Sequence, residues 1–140
     1  MRVMCVRMKE SALNELIESG EGECVEFKTA SKGVYDDTFE TVCSFCNHLG
    51  GDILLGVNDH GKVVGVPRKT IADMINYIQK RCSCLDVFSS VVDAVLNVEK
   101  LRKRKVIRIH IEPLDKKIAY KGVSYLRCGE SDYKMHMTYR

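Results

Sequence analysis

Apolar positions recur along the chain with two periods, and the alternation between them predicts the elements. Leu13, Leu16 and Ile17 share one face of a helix over residues 6–19 that closes at Gly20. Cys24 to Lys28 alternates as a short strand, with Val25 and Phe27 on one side and Cys24, Glu26 and Lys28 on the other. Phe39, Val42, Cys43, Cys46 and Leu49 recur at three-and-four spacing, the buried stripe of a helix over Asp36 to Leu49, and Gly50-Gly51 releases the chain from it. Ile53–Val57 reads as a strand, Asn58–Gly61 as a tight turn and Lys62–Val66 as the antiparallel partner. Ile71, Met74, Ile75 and Ile78 mark a third helix from Thr70 to about Arg81. Two longer strands follow, near Val87–Val98 and Lys105–Ile111, with Pro113 ending the second. Ile118–Tyr120 and Val123–Arg127 read as a last hairpin about Lys121-Gly122. The expectation is one α+β domain over residues 1–140, a mainly antiparallel or mixed sheet with about three helices.

Composition narrows the class without naming a function. The 140 residues are 45% hydrophobic and 29% charged, and no apolar run approaches the ~20 residues of a membrane span. Arg7 and Lys9 interrupt any signal-peptide core, so an intracellular protein is expected, cytoplasmic rather than nuclear. Seven cysteines are an odd set for a disulfide framework, and reduced, mostly buried thiols are the expectation. The net charge of +3 is mild, but Lys100, Arg102, Lys103, Arg104 and Lys105 lie together. Such a run is either a solvated turn or a set of phosphate contacts.

Candidate chemistry centres on Glu26-Phe27-Lys28. On a strand, the glutamate and lysine share a face while Phe27 anchors the core. A carboxylate with a lysine beside it is the combination that metal-dependent nucleases use near a scissile phosphate, although the triplet also describes any half-exposed strand. Glu21 lies five residues earlier, across Gly22, where a bend can bring both carboxylates to one hard cation; Glu23 and Glu18 are alternative partners. Asp59 is a third candidate ligand, in a position that equally serves turn geometry.

In this order the residues resemble the Schlafen AlbA-type domain. Glu26-Phe27-Lys28 corresponds to its E-F-K, and Phe45-Cys46-Asn47-His48-Leu49-Gly50-Gly51 to F-A-N-x-x-G-G. Gly56-Val57-Asn58-Asp59 through Gly65 corresponds to G-V-x-D-x-G-x-V-x-G. Ile109 to Pro113 resembles the strand ending in V-E-P, and Tyr125-Leu126-Arg127-Cys128-Gly129-Glu130-Ser131 the closing Y-x-R-x-G-x-S. The resemblance spans about residues 15–135 and implies a single lobe of the Schlafen core. It further implies a metal site of Glu21, Glu26 and Asp59, with Lys28 assisting catalysis and Mg²⁺ or Mn²⁺ as the ion. A structural zinc is not expected: Cys82-Ser83-Cys84 stands where animal relatives have one ligand pair, but Leu114-Asp115-Lys116 offers no second pair.

The resulting expectation is an endoribonuclease acting on tRNA or other structured RNA. Its alternatives are a non-catalytic DNA- or RNA-binding regulatory module, or one subunit of a larger Schlafen-type nuclease. Lys100, Arg102, Lys103, Arg104, Lys105 and Arg127, with Lys116, Lys117 and Lys121, are expected along one sheet edge as phosphate contacts. Tyr120, Tyr125, Tyr133 and Tyr139 are the candidate stacking aromatics. One lobe lacks an opposing wall, so a homodimer, or a heterodimer with a related Schlafen-like chain, is expected.

Overall fold

The structure, a computed structural model, describes residues 8–135. The α+β class expected from the sequence is what it shows: three α-helices, a four-stranded mixed sheet and a separate two-stranded hairpin. In chain order the elements are α1 (Glu10–Ser19), β1 (Val25–Lys28), α2 (Asp36–Cys46), β2 (Gly51–Leu55), α3 (Ile71–Cys82), β3 (Ala94–Leu101), β4 (Arg104–Ile111), β5 (Tyr125–Cys128) and β6 (Ser131–Lys134). The main sheet runs β1-β2-β4-β3; β1 and β2 are parallel, and the other pairs are antiparallel.

Strand alternation gives the sheet two apolar faces. Ile53 and Leu55 of β2 and Ile107, Ile109 and Ile111 of β4 join Phe39, Val42, Phe45 and Ile78 of α2 and α3 in the larger core. Phe27, Leu54 and Val106 point the other way, onto Leu13 and Ile17 of α1. Each of these fully buried large side chains contributes about 1.5–3 kcal/mol of transfer free energy. Cys43, Cys46 and Cys82 are part of the core, and burial pushes their thiols up to about 11, 12 and 12.

Element boundaries differ from expectation where glycines and long-range hydrogen bonds intervene. α2 stops at Cys46 rather than Leu49, which is exposed. Gly50 closes it in the left-handed region (φ 74°), donating to the Phe45 carbonyl at 2.8 Å. A Cβ at Gly50 would sit 2.5 Å from the Ile111 carbonyl, and one at Gly51 2.5 Å from that of Cys24, so both positions require glycine. The partner expected over Lys62–Val66 reduces to one bridge, Val57 to Val63, because the Gly56 carbonyl takes both the Val64 and Gly65 N–H groups. β3 begins at Ala94 rather than Val87; residues 87–93 form turns on the Cys84 carbonyl and on the Tyr120 segment. The Lys121-Gly122 hairpin is a single bridge, and β5 pairs instead with β6, a strand the apolar pattern did not reveal. The start of the first expected helix and Tyr139 lie outside the described residues.

The α1 face also carries an ionic network across three strands. Arg108 of β4 pairs with Asp52 of β2 (3.0 Å) and Glu99 of β3 (3.3 Å). His110 bonds Asp52 through Nδ1 (3.0 Å) and Glu112 through Nε2 (2.7 Å). Burial alone would lower the His110 pKa, but the two carboxylates outweigh it and hold the value above that of a free histidine. The folded state therefore binds this proton more tightly than the unfolded chain. The resulting stability is complete below about pH 6.5 and is lost as pH rises through the folded pKa. Replacing His110 with Gln should accordingly lower Tm more at pH 6 than at pH 8.5 (approximate values bracketing that titration), read by circular-dichroism melts; an equal loss at both would mean His110 is neutral in the fold.

Candidate functional site around Glu26

The E-F-K strand lies at one edge of the sheet, and its polar face turns toward α2. Glu26 is only 8% exposed. Its Oε1 accepts from Arg127 Nη2 at 2.8 Å, and its Oε2 lies 3.4 Å from Lys28 Nζ. Lys28 bridges onward to Asp37 in the first turn of α2, at 3.1 Å. Burial works against the Lys28 charge, but Glu26 and Asp37 more than compensate, so its pKa is raised.

Glu21 is the acid that joins Glu26. It reaches along the open edge of β1 and accepts the Phe27 N–H at 3.0 Å, beside the Glu26 carboxyl. Glu23, an alternative partner in the sequence, instead meets His48 at 2.9 Å. Burial first, and the Glu21 carboxyl in addition, push the Glu26 pKa up to about 7 against the opposing pull of Lys28 and Arg127.

Asp59 does not complete a three-acid cluster with this pair. It sits exposed in the turn after β2, which Asn58 shapes by accepting the His60 and Lys62 N–H groups, and Gly61 of that turn approaches Ile17 of α1 on the opposite sheet face. Among the described residues no group of three His, Cys, Asp or Glu side chains is arranged to hold an ion. The donor set that remains is Glu21 and Glu26. Two hard carboxylates whose mutual repulsion a cation would relieve suit Mg²⁺ or Mn²⁺ when water and phosphate oxygens complete the shell.

Arg127 departs most from expectation. Its side chain is 0% exposed, so it is no surface phosphate contact. It donates to the carbonyls of Gly22 (3.0 and 2.9 Å) and Val25 (3.1 Å), to Glu26, and to Asp132 Oδ1 at 2.8 Å, with its guanidinium 5.0 Å from the Phe45 ring centre. Asp132 also accepts from the Thr41 and Ser44 hydroxyls of α2, each at 2.5 Å. Asp37 and Asp132 escaped the sequence reading. Asp37 sat at the start of a predicted helix, as helix-start acids commonly do, and Asp132 lay on an unrecognised strand.

The basic run divides. Arg102 and Lys103 are the two-residue turn between β3 and β4, both at positive φ (51° and 64°), where Asn-Gly is the usual choice. Arg102 is tied to α1 through Asn14 at 2.9 Å. Lys100 and Lys105 face each other across the β3–β4 ladder, and Arg104 lies over Gly65. Lys117 donates to the Asn47 carbonyl at 3.0 Å and Lys121 pairs with Asp36 at 3.2 Å, so both are already engaged.

With this geometry in hand, the comparisons fix the class. The family model described as Schlafen, AlbA_2 matches residues 21–136, and the chain belongs to that family of nucleic-acid-associated domains. Solved structures share its fold, and two of them illustrate the likeness. One is the N-terminal domain of a RecG-related protein of Nitrosomonas europaea, named for an ATP-dependent DNA helicase (24% identity, TM-score 0.64, 95% of this chain and 96% of that one). The other is the DIP2311 protein of Corynebacterium diphtheriae (16% identity, TM-score 0.63, 89% of this chain), of which the matched region is 29% of the length. None of the curated proteins matches the chain. Among the described residues no helix is long and apolar enough to cross a membrane.

A glutamate held at a raised pKa makes the fold proton-dependent. Glu26 binds its proton more tightly folded than unfolded, so its contribution is present below the ordinary carboxyl range and is lost as pH rises through about 7. In chelator, Glu26→Gln should therefore melt at or above wild type at about pH 8 and lose part of the decline that wild type shows from about pH 5, an effect of order 1–3 kcal/mol. Parallel curves for the two proteins would show that Glu26 titrates normally.

Proposed function

We propose that this chain binds RNA and cleaves its backbone as a metal-dependent endoribonuclease, with structured RNA such as tRNA as the substrate class. One observation carries the reading. Two carboxylates, Glu21 and Glu26, lie side by side at a sheet edge with Lys28 beside them, and about a tenth of the Glu26 side chain is open to solvent. Mg²⁺ or Mn²⁺ held there by Glu21 and Glu26 would supply a polarised phosphate oxygen and an acidified water. Lys28 places a positive charge where negative charge develops on the phosphate. Arg127 fixes the Glu26 rotamer from behind, and Glu21 is oriented by the Phe27 N–H.

A second reading, a binding module without catalysis, is favoured by the completeness of the ion pairing. Glu26, Lys28, Asp37, Arg127 and Asp132 each already have an oppositely charged partner. Incubation of a tRNA with wild type and Glu26→Ala, in Mn²⁺ and in chelator, separates the two. Nuclease function predicts cleavage by wild type in Mn²⁺ and loss of at least about 100-fold in the variant or in chelator. Cleavage at one rate in all arms, or in none, leaves the binding module.

Affinity should come from cations of the β3–β4 turn, where Arg104 makes only a long bond of 3.4 Å to the Val64 carbonyl. Arg104→Ala and Lys103→Gly are each expected to weaken RNA binding across sequences and to reduce the slope of log affinity against log salt by about 1. The Lys103→Gly variant should also gain up to about 1 kcal/mol of stability, because glycine suits the left-handed turn. Unchanged salt slopes in both would place the nucleic acid on another face.

A further inference from the structure

Three residues beyond Lys28, the chain enters a surface hollow that the Glu26 chemistry does not use. The hollow holds about 310 Å³ between the loop at Ser31-Lys32-Gly33 and α3, with Met74 and Tyr77 on its helical side. A second hollow of about 330 Å³ meets it at Ser31 and is bounded by Gly65, Pro67 and Arg104. Three residues span at most about 10 Å, so both hollows begin within roughly that distance of Lys28.

Tyr77 gives the first hollow its character. The residue is 43% exposed, yet its ring is fixed: Phe39 meets it edge to face (5.8 Å, 78°) and the Arg81 guanidinium lies 5.4 Å from its centre. Tyr120 and Tyr125, both stacking candidates in the sequence, are buried in the core. Tyr77 thus combines an open aromatic surface, a preset orientation and a concave site. Lys32 lines the hollow with Tyr77, together with the carboxylate of Asp73, and Arg104 lines the second hollow; the two cations supply the charge that a nucleotide's phosphates require.

We infer that these hollows are a subsite for one unpaired RNA nucleotide, its base stacked on Tyr77 and its flanking phosphates directed to Lys32 and Arg104. The inference rests on the proposal that the domain acts on RNA, and it assigns the strand leading away from the Glu26 site a fixed path. Stacking on an aromatic face is tolerant of base identity, so the subsite selects unpaired over paired nucleotides rather than one base over another.

The test is fluorescence anisotropy in chelator, where no metal-dependent cleavage occurs, with a labelled single-stranded RNA of about eight nucleotides and the same sequence in a duplex. Tyr77→Ala and Tyr77→Leu should each weaken binding of the single-stranded RNA by about 5- to 100-fold, while Tyr77→Phe stays within about twofold of wild type. The leucine variant keeps bulk against Phe39 but lacks the aromatic face, so a loss there is not a folding artefact when its Tm matches wild type. Binding within about twofold of wild type in both the alanine and leucine variants, equal affinity for the duplex, or no binding by wild type, each overturns the subsite. Cleavage is scored separately in Mn²⁺. Loss of cleavage with the Tyr77 dependence intact overturns the nuclease proposal and leaves the subsite standing.

Discussion

The Arg127 guanidinium is the contact on which the site depends. A cation fully removed from water is costly unless every donor is engaged. Here it meets two carboxylates, two backbone carbonyls and the face of Phe45. Those partners belong to the approach to β1, to β1 itself, to α2 and to the β5–β6 hairpin. A single side chain therefore ties the edge of the main sheet to the small hairpin. Removing the shared cation of such a buried network typically costs about 3–5 kcal/mol, because the carboxylates around it are stranded.

That clamp determines what the edge strand can do. The outer edge of β1 offers unpaired backbone groups, a liability in any sheet. Glu21 takes the Phe27 N–H, and Arg127 takes the Gly22 and Val25 carbonyls, so the edge is closed by side chains rather than by another strand. The same closure sets the two glutamates side by side. Edge protection and the candidate chemistry thus draw on the same atoms, and Glu26 is held at a pKa near 7 by its place in the structure.

The two faces of the sheet use charge differently. On the α1 face, Asp52, Glu99, Arg108, His110 and Glu112 bond among themselves across three strands. On the α2 face the charges lead outward, from Glu26 to Lys28 to the exposed Asp37. The first arrangement fixes strand register. The second ends at open surface, at Asp37.

Local periodicity carried a large part of this in the sequence. Three-and-four spacing marked the helices, alternation placed Glu26 and Lys28 on one face with Phe27 beneath, and Gly50-Gly51 marked a break that no larger residue could make. The ordered motifs from Glu26 to Ser131 pointed to the family, and Glu21 was already among the candidate partners of Glu26. What local pattern could not carry were contacts across the chain. Arg127 reads as one more surface cation until Glu26, 101 residues away, is laid against it. Asp59 reads as a third ligand, yet among the described residues no three-acid cluster forms. Asp132 and Tyr77 carry no periodic signal because their neighbours come from other elements. Burial and ion pairing depend on distances through space, and for these residues only the packed sheet and helices set those distances.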